Sequence, residues 1–290
     1  MIFSAIISGL YRSWGIKRII LLFILLSLLV SSLVLNPYIN TFQQFFSHRL
    51  AAEVLAQKNI YTYYLEFSHY LAPAVEAARS VISLGAFLFL IISVLLSGGV
   101  IDALISPEPV RLRKFWSRSG HFFGRMSRLL ILSSVILALA LLLGILIPLP
   151  FSYLLPDAFV ENTYFYFYAG WGLFIWLLFV IVFALVDLAK VLIVRDDRNS
   201  VLKAVHMAVR YTIRHPLQIL FTYMTLYLVG VLFFVLYWWL QQFISNTSAM
   251  GIFLGIAFLQ IFVFLQYWIK FSRYGALYQT VENMDIEVVG

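Results

Sequence analysis

Asp187 and Lys190 stand three residues apart in a run that is otherwise apolar from Gly172 to Val194. On a helix this spacing sets a carboxylate and an ammonium on one side, where they can pair. If the helix continues to Val194, Asp187 lies about two turns inside its end. An ionisable group at membrane depth is costly and needs a partner or water. Three readings follow: a structural salt bridge with a snorkelling lysine, a proton or substrate site, or a helix that ends earlier. Lys190 is the near partner, and a basic side chain from a neighbouring inner helix is another. Asp102, close to the end of an earlier apolar run, repeats the pattern more weakly.

Two stripes of cations form the second group. After the turn Ser106-Pro107-Glu108-Pro109, a helical reading puts Lys114, Arg118, His121, Arg125 and Arg128 in one stripe. Leu112, Phe115, Trp116, Phe122, Phe123 and Met126 make its apolar face. Further on, Lys203, His206, Arg210 and Arg214 line up opposite Val201, Leu202, Val205, Val209 and Ile213. Helices of this kind lie in the membrane interface with their cations toward lipid phosphates, each cation near an anionic surface contributing about 1 kcal/mol. The plainer alternative is a pair of connecting helices whose charges only orient the chain. Other phosphate ligands and protein partners are further alternatives.

Remaining candidates carry less chemistry. His48, Glu53, Glu66 and His69 lack the His-x-x-x-His spacing of a helical metal site, so no metal is expected there. Gly251 and Gly255 form a single GxxxG, a place for two helix backbones to approach. The sequence has no GxxxxGK[ST], HExxH, GxSxG, DxxD or dinucleotide fingerprint, no carboxylate pair within one span and no cysteine. His206 and His215 read as surface residues. The expectation is a chain without catalytic residues, cofactor or metal.

These residues need elements to hold them, and composition says which. At 63% hydrophobic and 11% charged, the chain lies outside the range of water-soluble domains. Apolar runs of about 20 residues suit transmembrane helices and are too long, and too unalternating, for barrel strands. The spans are expected at 17–36, 80–104, 128–149, 169–194, 216–240 and 249–270, the first as a retained signal anchor. The fold class is therefore an all-α polytopic membrane protein, one membrane domain over 1–290.

Of 20 Lys and Arg residues, 17 fall in segments on one side of these spans and three, Arg49, Lys58 and Arg79, on the other. The positive-inside rule then puts both termini in the cytoplasm. Charge placed this way reads as topology, not nucleic-acid binding. Tyr164, Tyr166, Tyr168 and Trp171, with Tyr237, Trp238 and Trp239, mark outer interfaces, and Tyr267 and Trp268 approach an inner one.

Residues 37–79 are too long for a simple connector. Phe42, Phe45, Phe46, Leu50 and Val54 recur at helical spacing, predicting an outer amphipathic helical cap. Asp102–Leu129 and Asp187–Pro216 repeat one plan: acidic residue near a span end, turn, basic helix, next span. A parallel pseudo-repeat of this sort occurs in transport folds and in scaffolds.

The order SGGVIDALISPEP, KFWSRSGHFFGRMSRLLIL, VDLAKVLIVRDDRNSVLKAVHMAVRYTIRHPLQIL, over roughly 95–220, resembles a family of six-helix bacterial membrane proteins. That family is similar to the membrane domain fused to some glycerophosphodiester phosphodiesterases. The phosphodiesterase site belongs to a separate soluble domain, so the resemblance implies no catalytic residue here. It implies a bacterial inner membrane and a lipid-related setting.

Three functions compete. The first is a non-enzymatic structural or accessory subunit of a membrane complex, with anionic-lipid contacts through Lys114, Arg118, Arg125, Arg128, Lys203, Arg210 and Arg214. The second is a transporter or lipid-translocating protein using a cavity near Asp187. The third is a membrane enzyme acting on lipid, which needs polar residues clustered at one depth.

Overall fold

The computed structural model describes residues 2–46, 72–106, 111–146, 148, 161–244 and 249–289. They form eight helices and no strand: α1 (Ile2–Gly15), α2 (Lys17–Phe46), α3 (Ala72–Ile105), α4 (Leu112–Leu146), α5 (Glu161–Arg195), α6 (Val201–Arg214), α7 (Pro216–Gln241) and α8 (Ala249–Val289). Six of them, α2–α5, α7 and α8, are long and apolar enough to cross a membrane. The chain is an all-α polytopic membrane protein.

The chain packs as two compact units. One comprises Leu21–Ser93, in which α2 and α3 approach so closely at Gly85 that a Cβ there would collide with Val34. The other comprises Met1–Ile20 with Val94–Gly290, and all that follows concerns it.

Several helices run past their expected ends. The first basic stripe is no separate interfacial helix: it continues unbroken into the third span as α4, 35 residues long. Nothing between Arg128 and Leu129 removes a hydrogen bond or forces a turn. In the second inner segment Pro216 lacks an N–H and pushes its predecessor out of the helical region. His215 accordingly sits at φ −130°, ψ 57°, ending α6, and Pro216 opens α7. The two halves of the pseudo-repeat therefore differ at one proline.

The last span also overruns. α8 has 41 residues, about 60 Å at 1.5 Å per residue against a hydrocarbon core of roughly 30 Å, so about half of it stands outside the core. α1, an element the sequence reading missed, packs along α8 from Phe264 to Gln279. Ala5, Ile6, Gly9 and Ser13 face α8, and Ile6 packs with Leu226, Ile269 and Ala276. At Gly9 the backbones meet: a Cβ there would lie 2.5 Å from the Ser272 carbonyl oxygen and 2.6 Å from the Ala276 nitrogen. Ser13 and Ser272 share a buried hydroxyl hydrogen bond of 2.6 Å. Small residues let two helices approach closely where lipid offers no hydrophobic drive. α3 and α4 use the same device, Gly98 lying against Phe122 and Gly99 against Ser119.

Of the expected outer cap, 37–46 belongs to α2 and 72–79 to α3. His48, Arg49, Leu50, Glu53, Val54, Glu66 and His69 lie outside the described residues, as do Pro107, Glu108 and Pro109.

Candidate functional site

Where α5, α7 and α8 converge, the sequence places six polar side chains from three helices. Asp187 and Lys190 come from α5, Tyr223 from α7, and Lys270, Arg273 and Tyr274 from α8. Lys190 Nζ donates to Asp187 Oδ1 at 2.8 Å, the expected pair. The carboxylate's other oxygen accepts from the Tyr223 hydroxyl at 3.3 Å. That hydroxyl in turn accepts from Arg273 Nη1 at 2.8 Å. The second basic partner thus comes from α8 and not from an inner-loop helix.

Two aromatic faces complete the cluster. The Arg273 guanidinium lies 5.1 Å from the Tyr223 ring centroid, and Lys190 Nζ 5.6 Å from that of Tyr274. At these distances a ring face attracts a cation. Asp187 is buried, as are Tyr223 and Tyr274. Against one carboxylate stand three cations, Lys190, Lys270 and Arg273. Lys270 has no hydrogen-bond or ion-pair partner among the described residues, and Arg273 Nε is buried without one.

Beside this cluster α7 and α8 part to leave a cleft of about 400 Å³. Its walls run from Lys270 and Arg273 past Gln266 and Gly230 to Phe234 and Phe262. Gln266 Nε2 donates to the Gly230 carbonyl at 2.9 Å and ties the walls together midway. Asp187 does not line the cleft.

The basic end of the bundle carries a second polar network. α5 closes in a Schellman arrangement, with Arg198 N–H donating to Ile193 O at 3.2 Å and Asp197 N–H to Val194 O at 3.4 Å. Asp197 takes the left-handed position, φ 46°, where glycine is usual. Its carboxylate accepts from Arg125 and meets His121 at 3.3 Å. Those contacts, Arg125 foremost, hold the Asp197 carboxyl below the usual range. Asp196 binds Arg195 at 2.7 Å and Arg198 at 2.8 Å. Burial raises its carboxyl, but the two guanidinium hydrogen bonds outweigh that and lower it. Asp285, on the overrun of α8, takes Arg195 at 2.9 Å and the Tyr211 hydroxyl at 2.6 Å. Burial, then that hydrogen bond, raises the Tyr211 phenol.

The cation stripes divide accordingly. On α4, Arg118 faces Asp102 at 3.7 Å and Arg125 is taken by Asp197, so these two are engaged within the protein. Lys114 is half-buried and Arg128 exposed. On α6, Lys203, Arg210 and Arg214 are all exposed. Of this helix, Val201, Ala204, Ala208 and Thr212 pack inward, while Leu202 and Ile213 of the expected apolar face point out of the protein, 69% and 74% exposed. On α4, Phe115, Phe122 and Met126 are buried as expected, and Leu112 and Trp116 are exposed. At the GxxxG, Gly251 is buried. A Cβ on Gly255 would meet Ile244 at an ordinary 3.8 Å, and close helix approaches are seen at Gly9, Gly98 and Gly99.

Sequence reasoning missed Tyr223, Lys270, Arg273, Tyr274 and Asp285. The available signal was Lys270 and Arg273, i and i+3, at the end of an apolar run. Comparison with known families, with curated proteins and with solved structures finds no match. The resemblance to the phosphodiesterase-associated membrane domain thus rests on the quoted residues alone.

Proposed function

We propose that this chain is a non-enzymatic subunit of a membrane complex that contacts anionic lipid through its basic end. The observation that carries the reading is the outward surface of α6. Leu202, Ile213 and the neighbouring Leu217 are uncovered beside exposed Lys203, Arg210 and Arg214. A stripe of apolar groups flanked by cations suits the boundary between acyl chains and phosphates. α4 contributes Arg128 and the exposed Leu112 and Trp116.

The subunit part of the reading is supported by α1. Its outer face carries Phe3, Ile7 and Tyr11 at helical spacing, all exposed, while Trp14 turns to Phe264 and Trp268 of α8. Uncovered aromatic stripes of this kind suit a partner helix. With the basic end inward, the membrane is the bacterial inner membrane that the family resemblance implies, with both termini cytoplasmic.

Native mass spectrometry on protein extracted gently from its own membrane tests the proposal. A stoichiometric protein partner is expected, together with anionic lipid that declines when Lys203, Arg210 and Arg214 are all replaced by Gln. A lone chain whose lipid is unchanged by those replacements overturns it. A second reading, a lipid-translocating protein, is favoured by the cleft beside Lys270 and Arg273.

A further inference from the structure

We infer that the cleft between α7 and α8 is a binding site for one anionic phospholipid, its phosphate held by Lys270 and Arg273 and one acyl chain lying along Val231, Phe234 and Phe262. The site is separate from the α6 surface and does not rest on that reading.

Charge gives the first argument. The cluster behind the cleft has one carboxylate, and Lys190 and the Tyr223 hydroxyl already occupy it. Two of three cations are left in excess, and both face the cleft. Among the described residues Lys270 makes no hydrogen bond or close ion pair, and the Arg273 Nε is buried without a partner. Cations in a largely desolvated place are stabilised by an anion, and a guanidinium matches phosphate oxygens in two-pronged fashion. Asp187 brings a single negative charge against three cations and does not line the cleft, so a net positive charge remains there.

Shape gives the second. Polarity changes along the cleft: cations at one end, the Gln266 amide in the middle, aromatic and aliphatic side chains at the other. Phe262 is stacked on Tyr237 with ring centroids 4.4 Å apart, which fixes the apolar wall. From Arg273 to Phe262 is eleven residues of one helix, about 16 Å, the reach of a phosphate followed by most of one acyl chain. A free phosphate would leave the apolar end unused, and a zwitterionic lipid would set its own ammonium group against Lys270 and Arg273. The cationic end points to the basic side of the bundle, so the lipid belongs to the leaflet on that side.

The test uses the whole chain, delipidated in detergent and titrated with phosphatidylglycerol, phosphatidylcholine or inorganic phosphate under native mass spectrometry. One phosphatidylglycerol per chain should be retained, about tenfold more firmly than phosphatidylcholine, whose choline cation is repelled by the two cations that hold the phosphate. Lys270→Gln should abolish that preference. Because Lys270 makes no hydrogen bond or close ion pair among the described residues, this variant keeps the Asp187 pairs intact and separates binding from folding. Val231→Trp, which fills the apolar wall and leaves the charges alone, should expel the lipid. Lys203→Gln with Arg210→Gln and Arg214→Gln should leave this retained lipid in place, so failure of the α6 reading and failure of this one are told apart. Equal retention of the two lipids, an unaltered preference in Lys270→Gln, or displacement of the lipid by inorganic phosphate at equal affinity would each overturn the inference.

Discussion

Arg125 of α4 donates to the carboxylate of Asp197, a non-glycine residue held in the left-handed conformation that ends α5. The backbone there favours glycine, and the side chain is what an aspartate adds. Asp197→Gly keeps the helix cap and removes the link to α4, whereas Asp197→Ala loses the link and keeps the strain. Alanine should therefore be the worse replacement, by about 1 kcal/mol. Thermal unfolding in detergent, read from intrinsic tryptophan fluorescence, ranks the two; glycine as the more damaging change would contradict this account of the cap.

The same carboxylates set an acid dependence. Asp196 and Asp197 are held below the ordinary range when folded. Their stabilisation is present above the unfolded value near 4 and fades as pH falls through the folded values below it. The melting temperature should drop between roughly pH 5 and pH 3, and Asp197→Asn should flatten part of that drop. An unchanged slope in the variant would show that Asp197 gains nothing from Arg125. The Asp197 carboxylate is exposed, so the effect is small.

Asp187 is the only carboxylate among the six clustered side chains where α5, α7 and α8 meet. Asp187→Asn leaves Lys190, Lys270 and Arg273 without a counter-charge, and breaking a buried ion pair costs about 3–5 kcal/mol. Tyr223→Phe removes one hydroxyl from the network and should cost about 1–2 kcal/mol. A double-mutant cycle over Asp187 and Lys190 checks that the pair is coupled. Additive effects would mean that the 2.8 Å contact contributes nothing of its own.

Gly9 and Gly120 make opposite predictions for one methyl group. At Gly9 it meets α8 backbone atoms, and overpacking of this kind costs about 1–3 kcal/mol. At Gly120, within α4, a Cβ has nothing within 4 Å, so alanine should stabilise by about 0.5–1 kcal/mol through helix propensity. Melting curves that move in the same direction for both would overturn the packing of α1 on α8.

Orientation can be tested directly, since the chain has no cysteine of its own. A cysteine at Arg118 should react with an impermeant maleimide only in inverted vesicles, and one at Asp157 only in intact cells. The reverse pattern would invert the proposed topology.

What was legible in the sequence was what depends on one helix at a time. Six apolar runs and the Asp187–Lys190 pair are local, and each stands where spacing put it. The protein-facing side of α6 was not legible because hydrophobicity does not distinguish a lipid-facing side from a protein-facing one. Ala204 and Ala208 pack inward since small residues let α6 sit close, and Leu202 is left outside. The cluster around Tyr223 was illegible for another reason. Its members come from three helices, Tyr223 lying 36 residues from Asp187 and 50 from Arg273, and no sequence window contains them. α1 escaped notice because its partner is at the far end of the chain.

That last separation bears on biosynthesis. Ser13 and Ser272 touch, yet 259 residues lie between them. α1 leaves the ribosome well before its counterpart, with five other candidate spans made in between. Until then Gly9 has no α8 backbone to close on, and Phe3, Ile7 and Tyr11 are exposed on the opposite face throughout. A nascent chain interrupted before Ser272 thus displays an apolar helix with both sides open, a feature by which quality control can tell an unfinished copy from a finished one.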